Sequence, residues 1–303
     1  MNGISSRPAG GQQSLITGPD GSFNSYLALP GSQPAPAVVV IQEIFGINED
    51  MRTTCDRLAS SGYMAICPDL YWRMEPNVSL TDKTPEEWDK AMRLLNAFDV
   101  DAGVRDLAST IDAARRLPGA SGAVGVVGYC LGGRLAYLVA ARAGASACVS
   151  YYGVGIDAHL DEKAKIRNPL LMHIAEQDEF VPRAARQTII AALRDLGGVE
   201  IYTYPGCNHA FARNNGVHYD AAAAELANSR TSDFFRRHLQ SFVSAAEVQS
   251  RLIDLGYYDG PVDGKTSQLA TAALARFQHD HGLPATGDPD PVTLRALREA
   301  YCY

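Results

Sequence analysis

Gly128-Tyr129-Cys130-Leu131-Gly132 reads G-x-C-x-G, a thiol framed on both sides by residues without bulk. The stretch before it, Ala123-Val124-Gly125-Val126-Val127, is apolar and β-branched and predicts a strand. The stretch after it, Gly133 to Ala141, predicts a helix. A strand, a tight turn and a helix would hold the thiol on a strained turn, where larger neighbours would collide with the backbone packed beside them. The turn also places the sulfur at a helix N-terminus, where the partial positive charge favours a thiolate. A buried, inert cysteine is the other reading of the motif alone.

A nucleophilic thiol needs a base, because at its ordinary pKa of about 8.5 it is mostly protonated at neutral pH. In α/β-hydrolases the order along the chain is nucleophile, acid, histidine, each just past the end of a strand. Leu170-Leu171-Met172-His173-Ile174 predicts a buried strand, and the loop after it carries Asp178. Glu200-Ile201-Tyr202-Thr203-Tyr204 predicts the next strand, followed by the loop that carries His209. His209 would take the thiol proton and Asp178 would hold the imidazole. An Asp ahead of a helix also serves as an N-cap, and Glu176 or Glu179 could be the acid instead. A histidine in a Gly/Asn loop is commonly just solvated. The other histidines have no assigned role, and His173, inside a strand, reads as a satisfied core residue. No pair of them shows metal-ligand spacing with a matching carboxylate, so neither metal nor cofactor is expected.

Several further motifs stand in register with the first. Gln42-Glu43-Ile44-Phe45-Gly46, Cys67-Pro68-Asp69-Leu70-Tyr71, Gly128 to Gly133, and Tyr151-Tyr152-Gly153-Val154-Gly155 resemble the dienelactone hydrolases, or carboxymethylenebutenolidases, over residues 18–238. The resemblance implies a Cys130–His209–Asp178 triad that cleaves lactone or enol-ester bonds through an acyl-cysteine. It also implies that Glu43 contacts the resting thiol and shifts when substrate binds. The amides of Ile44 and Leu131 would form the oxyanion hole, where each donor is worth about 10²–10³ in rate. On the substrate side it implies Phe45 and Arg213 in the pocket. A second family arginine is matched by Trp88, and two aromatic pocket positions are matched by Met92 and Leu95. Those three fall at i, i+4 and i+7, one face of a helix. The bland reading is a helix packing that face on the core. If the face lines the pocket, the site has lost a cation and gained apolar surface, and a neutral, hydrophobic ester or lactone is expected unless Arg73 or Arg93 restores the charge.

The elements that must position these groups alternate along the chain. Strands near 38–41, 64–67, 124–127, 148–151, 170–174 and 200–204 are separated by helical stretches, which predicts a mostly parallel sheet with helices on both faces. Its site belongs at the carboxyl ends of the strands. The expected division is a disordered N-terminus over 1–13, an α/β-hydrolase domain over 14–240, a linker over 241–246 and a helical module over 247–303. In the tail, Leu255-Gly256-Tyr257-Tyr258, Val262-Asp263-Gly264, Arg276-Phe277-Gln278, Gly282-Leu283-Pro284 and Thr286-Gly287 resemble the peptidoglycan-binding-like modules of cell-wall hydrolases. Ser267 and Ala270 replace a glycine and a threonine typical of that module. The resemblance implies a small three-helix bundle and a glycan or protein contact through 247–303.

The chain has 303 residues, 46% hydrophobic and 20% charged, with a formal charge of −7. That balance argues against nucleic acid and against an anionic membrane surface as partners. No apolar run approaches a membrane span, and the N-terminus lacks a secretory pattern. Six cysteines without a C-x-x-C pair suit a reducing, cytoplasmic setting, with export by another route left open. The expected activity is cysteine-dependent hydrolysis of a small-molecule lactone or carboxylic ester. A broad esterase or thioesterase, or a cell-wall glycan-binding adaptor acting through the tail, are the alternatives.

Overall fold

The structure, a computed structural model, describes residues 11–239 and 245–301. The chain divides into two compact units, 1–240 and 241–303.

The six apolar runs expected as strands form β3 (Ala35–Ile41), β4 (Met64–Pro68), β5 (Ala120–Tyr129), β6 (Ala147–Tyr151), β7 (Leu170–Ala175) and β8 (Val199–Tyr204). All pair in parallel. Two further strands precede them, β1 (Gln12–Gly18) and β2 (Gly21–Ala28). They make an antiparallel hairpin, and β2 then pairs antiparallel with β4. The sheet order is β1-β2-β4-β3-β5-β6-β7-β8. The hairpin escapes a search for apolar runs because only one of its faces is buried. In β2, Phe23, Ser25 and Leu27 point inward at every second position, and the buried Ser25 hydroxyl donates to Ser14 O at 2.9 Å. Gln12 and Gln13, expected in the disordered N-terminus, are already in β1 opposite Leu27 and Tyr26, held there by ladder pairing. The rest of that expected segment, residues 1–10, lies outside the described residues.

Helices α1 (Glu49–Ser60), α2 (Pro85–Ala97), α3 (Val100–Arg115), α4 (Leu131–Arg142), α5 (Arg183–Leu193) and α6 (Ala221–His238), with a 3-10 helix over Ile156–Lys165, complete the first unit. Of these, α1, α3, α4 and α6 pack against strands of the sheet. Local signals set their starts. For α2, the Thr84 hydroxyl accepts the Glu87 amide at 3.2 Å and Pro85 occupies the first turn, where its missing N–H costs nothing. The central strands β3, β4, β6 and β7 are buried along their whole length, so the loops at their carboxyl ends leave a rigid platform.

The second unit contains α7 (Ala245–Asp254), α8 (Gln268–Asp280) and α9 (Pro291–Tyr301). Ala245 and Ala246, expected in the linker, already belong to α7, and residues 241–244 lie outside the described set. The core of this unit is small: Val248, Leu252, Tyr258, Ala273, Leu274, Phe277, Leu294 and Leu297. Two buried glutamines supplement it. Gln278 donates to Asp288 O and Thr293 Oγ1, both at 2.9 Å, and its Oε1 accepts the Gly287 amide at 2.7 Å. Gln249 accepts the amides of Asp263 and Gly264. So little apolar volume is held in register by polar groups whose bonds are satisfied.

Candidate active site

Cys130 stands between β5 and α4, with φ 56° and ψ −113°. A non-glycine residue rarely adopts that conformation, and it persists only where its surroundings hold it. Here the Cys130 amide donates to Tyr151 O at 3.1 Å, while its carbonyl accepts the amides of Gly133 at 3.0 Å and Arg134 at 3.2 Å. The glycines permit the approach. A Cβ on Gly132 would sit 2.4 Å from Ile41 O and 2.6 Å from Gln42 O, and one on Gly128 would lie 1.9 Å from Gly132 O.

The loop after β7 brings Asp178 and the loop after β8 brings His209. His209 Nδ1 and Asp178 Oδ2 are 2.8 Å apart, with both side chains buried. The other oxygen of Asp178 accepts the amides of Phe180 at 2.9 Å and Val181 at 3.1 Å, which fixes the carboxylate. Glu176 and Glu179, the alternative acids, are exposed. The imidazole is held edge-on between two rings, Tyr152 at 5.1 Å and Phe180 at 4.9 Å between centroids. Burial opposes a charge on His209, but the neighbouring Cys130 and Asp178 outweigh it and push its pKa up to about 10. His209 therefore holds a proton readily beside the sulfur.

Ile44 and Leu131, the residues expected to form an oxyanion hole, line the same cavity as Cys130. Leu131 opens α4, where a backbone amide has no acceptor within the helix. The peptide carrying the Ile44 amide is tied through its carbonyl, since Gln42 Nε2 donates to Glu43 O at 3.4 Å.

Glu43 departs from expectation. Its Oε2 takes the Arg213 Nε at 2.5 Å, and its Oε1 is buried with no hydrogen-bond partner. A guanidinium outcompetes a thiol for a buried carboxylate, because the bond to it is charge-assisted and offsets desolvation. Arg213 is claimed twice, its Nη1 lying 2.6 Å from Asp82 Oδ2, and it stacks over Phe45 at 4.8 Å. Arg213 lines the cavity as expected, but two carboxylates have already neutralised it, and it is no free grip for an anion. Asp50 lies close by: burial, then the charge of Glu43, raise its pKa to about 6, against hydrogen bonds from Asn214 and the charge of Arg213.

The cavity measures about 390 Å³, and Trp88, Met92, Leu95 and Phe45 all line it. The apolar face of α2 thus serves the cavity and the core together. Trp88 packs between Phe45 at 5.5 Å and Phe180 at 6.2 Å. Neither arginine considered as a replacement cation reaches the cavity. Arg73 is bound to Asp106 and Asp20 and stacks on Trp72, and Arg93 is not among the lining residues. The cavity does contain a second arginine that sequence reasoning passed over, Arg134. The signal was its place in the first turn of α4, directly after Cys130. Asp82 was also missed, because nothing local ties it to a residue 131 positions away. His173 is a core residue, with Nδ1 2.8 Å from Tyr204 Oη and Nε2 2.9 Å from Thr231 Oγ1, and burial lowers its pKa to about 3. Among the described residues no group of three or more His, Cys, Asp or Glu could hold a metal, and no helix is long and apolar enough to cross a membrane.

A mostly parallel sheet of this order, with a side chain on a strained turn between strand and helix, defines an α/β-hydrolase. The family model described as "Dienelactone hydrolase family" matches residues 23–239, and that described as "Putative peptidoglycan binding domain" matches residues 244–297. A carboxymethylenebutenolidase of Pseudomonas putida is 42% identical over 213 residues, covering 70% of this chain and 90% of that protein. An Azospirillum brasilense protein named "Putative carboxymethylenebutenolidase" is 50% identical over 227 residues, covering 75% of this chain and 98% of that protein. The crystal structure titled as a "Putative Dienelactone Hydrolase" from Klebsiella pneumoniae superposes with a TM-score of 0.65 at 27% identity, covering 74% of this chain and 97% of that one. The chain belongs to the dienelactone hydrolase family, and its first unit is a hydrolase of that kind.

Proposed function

We propose that this protein hydrolyses a small lactone or carboxylic ester with an apolar body through a covalent acyl intermediate on Cys130. The observation that carries the reading is the Asp178–His209 pair at 2.8 Å, buried beside a thiol held on a strained turn. In this mechanism His209 holds the thiol proton and the Cys130 thiolate attacks the carbonyl carbon. The carbonyl electrons move to an oxygen received by the Ile44 and Leu131 amides. As the tetrahedral species collapses, His209 protonates the departing alkoxide or enolate and the acyl group stays on sulfur. His209 then removes a proton from water, the water oxygen attacks the thioester, and the thiolate leaves with the acid as second product. Asp178 keeps the imidazole in one tautomer and stabilises its charged form. Glu43, held by Arg213, is poised beside this centre with one free oxygen. Residues such as Trp88, Met92 and Leu95 provide the wall for the apolar body. This chemistry and the thiol nucleophile suit the cytoplasmic setting expected from cysteine usage.

The test is turnover of dienelactone and of a neutral aryl ester by the wild-type protein and by Cys130→Ala. Wild type should turn over at least one of them and yield an acyl adduct on Cys130 visible by mass spectrometry of the quenched reaction. The variant should show neither. Substantial turnover by Cys130→Ala would refute the assignment.

A further inference from the structure

Three aromatic side chains that line the cavity stand in a row. Phe45 and Trp88 are 5.5 Å apart between ring centroids, and Trp88 and Phe180 are 6.2 Å apart. The row starts in the core and ends at the surface: Phe45 is buried, Trp88 half-buried and Phe180 39% exposed. Neighbouring rings are tilted by 47° and 38°, so none lies flat on the next, and all three keep surface toward the cavity. Such surface suits a further ring, which gains from offset or edge contacts at these distances beyond the area it buries.

The outer end of the row meets the base. Of the two rings that hold the His209 imidazole, Phe180 is the one that lines the cavity, 4.9 Å away and 72° to the imidazole plane. Its amide donates to Asp178 Oδ1 at 2.9 Å, so the turn that fixes the acid also carries this ring. The order of events then assigns a side to each half of the substrate. The alcohol portion departs first, and water must reach the acyl carbon from the side it vacates. One imidazole protonates the departing oxygen and later activates that water, so the alcohol portion lies on the His209 side. That side is walled by Phe180 at the exposed end and by Trp88 next in the row.

We propose that Phe180 and Trp88 form the subsite for an aromatic alcohol portion, so that the substrate is an ester of a phenol. The inference rests on the reading of Cys130 as nucleophile and His209 as its acid and base. The bond that breaks joins the acyl carbon to the phenol oxygen. Its electron pair stays on that oxygen, which takes the proton from His209 and leaves as the phenol past Phe180, while the acyl group remains on sulfur. Phe180 and Trp88 are specificity-determining residues for this step.

The test uses three esters whose alcohols leave with similar ease. Phenyl butanoate carries its ring on the alcohol side, hexafluoroisopropyl butanoate carries none, and hexafluoroisopropyl 3-phenylpropanoate carries it on the acyl side. Acid release gives kcat/KM for wild type, Phe180→Leu and Trp88→Leu, with Cys130→Ala as the blank. Wild type should prefer phenyl butanoate to the other two by about 10-fold. Each leucine variant should cut that preference about 2- to 10-fold, the range for loss of one aromatic pair. A merely structural role would lower all three substrates alike and leave the ratios in place, which would overturn the proposal. So would a wild-type preference for either fluoroalkyl ester, the phenylpanoate result placing the ring on the acyl side. The two residues stand on separate elements, so if one variant fails to fold the other decides. Persistent turnover in Cys130→Ala would instead sink the nucleophile assignment, a failure visible separately from that of the aromatic subsite.

Discussion

Arg213→Met should destabilise the first unit strongly, and more at neutral than at acidic pH. The guanidinium sits 2.5 Å from Glu43 and 2.6 Å from Asp82, and all three side chains are under 10% exposed. Two unit charges about 4 Å apart attract by about 4 kcal/mol at an effective dielectric of about 20. Part of that offsets desolvation, so removing one partner of a buried pair costs about 3–5 kcal/mol, chiefly because a buried charge is left uncompensated. Here two carboxylates lose their cation at once, and Asp50 adds a third acid already raised to about 6 by burial and by Glu43. For a unit of this size the cost corresponds to a fall in Tm of about 10 °C. The sign with pH follows. The Arg213 charge holds the pKa of Asp50 down, so its loss lets that pKa rise further above the ordinary 3.8. The added penalty is complete above the folded value and fades as Asp50 takes up its proton. Urea unfolding of wild type and variant at about pH 8 and about pH 5 measures both effects. A loss below about 1 kcal/mol, or an equal loss at both pH values, would refute the reasoning.

Two more expectations follow from the same geometry. Asp50 has a folded pKa of about 6 against an ordinary 3.8, so its ionisation disfavours the fold above pH 6 and ceases to matter below pH 4. Asp50→Asn keeps an oxygen for the Asn214 donors and should stabilise by about 1–3 kcal/mol near pH 8, with the two stability curves converging near pH 4. Gly132→Ala would drive a Cβ to 2.4 Å from Ile41 O. It should cost about 1–3 kcal/mol in denaturant unfolding. Its turnover should fall too, since the displaced end of β3 leads directly into Glu43 and Ile44.

Most of the parallel core was legible because β3, β4, β6 and β7 are buried along their whole length and therefore read as continuous apolar runs. The β1–β2 hairpin was not, since a strand with one wet face shows only a weak alternation, and β1 carries four exposed residues in seven. Cys130, Asp178 and His209 could be singled out from the sequence as candidates because each follows a strand at a point where fold topology leaves few alternatives. Only the tertiary structure shows that Asp178 is buried against His209 while Glu176 and Glu179 are exposed.

The charge balance of the pocket belongs to tertiary structure alone. The sequence by itself determined the elbow and its glycines, the strand-end loops that carry the acid and the histidine, the helix face of Trp88, Met92 and Leu95, and the helical tail. All of these follow from local spacing and from burial periodicity. Which arginine is neutralised and which is left open depends on Glu43, Asp82 and Arg213 meeting across 131 and 170 positions of chain, while Arg134 meets no carboxylate among the described residues. Electrostatic pairing depends on distance and burial in three dimensions, and no local pattern encodes either.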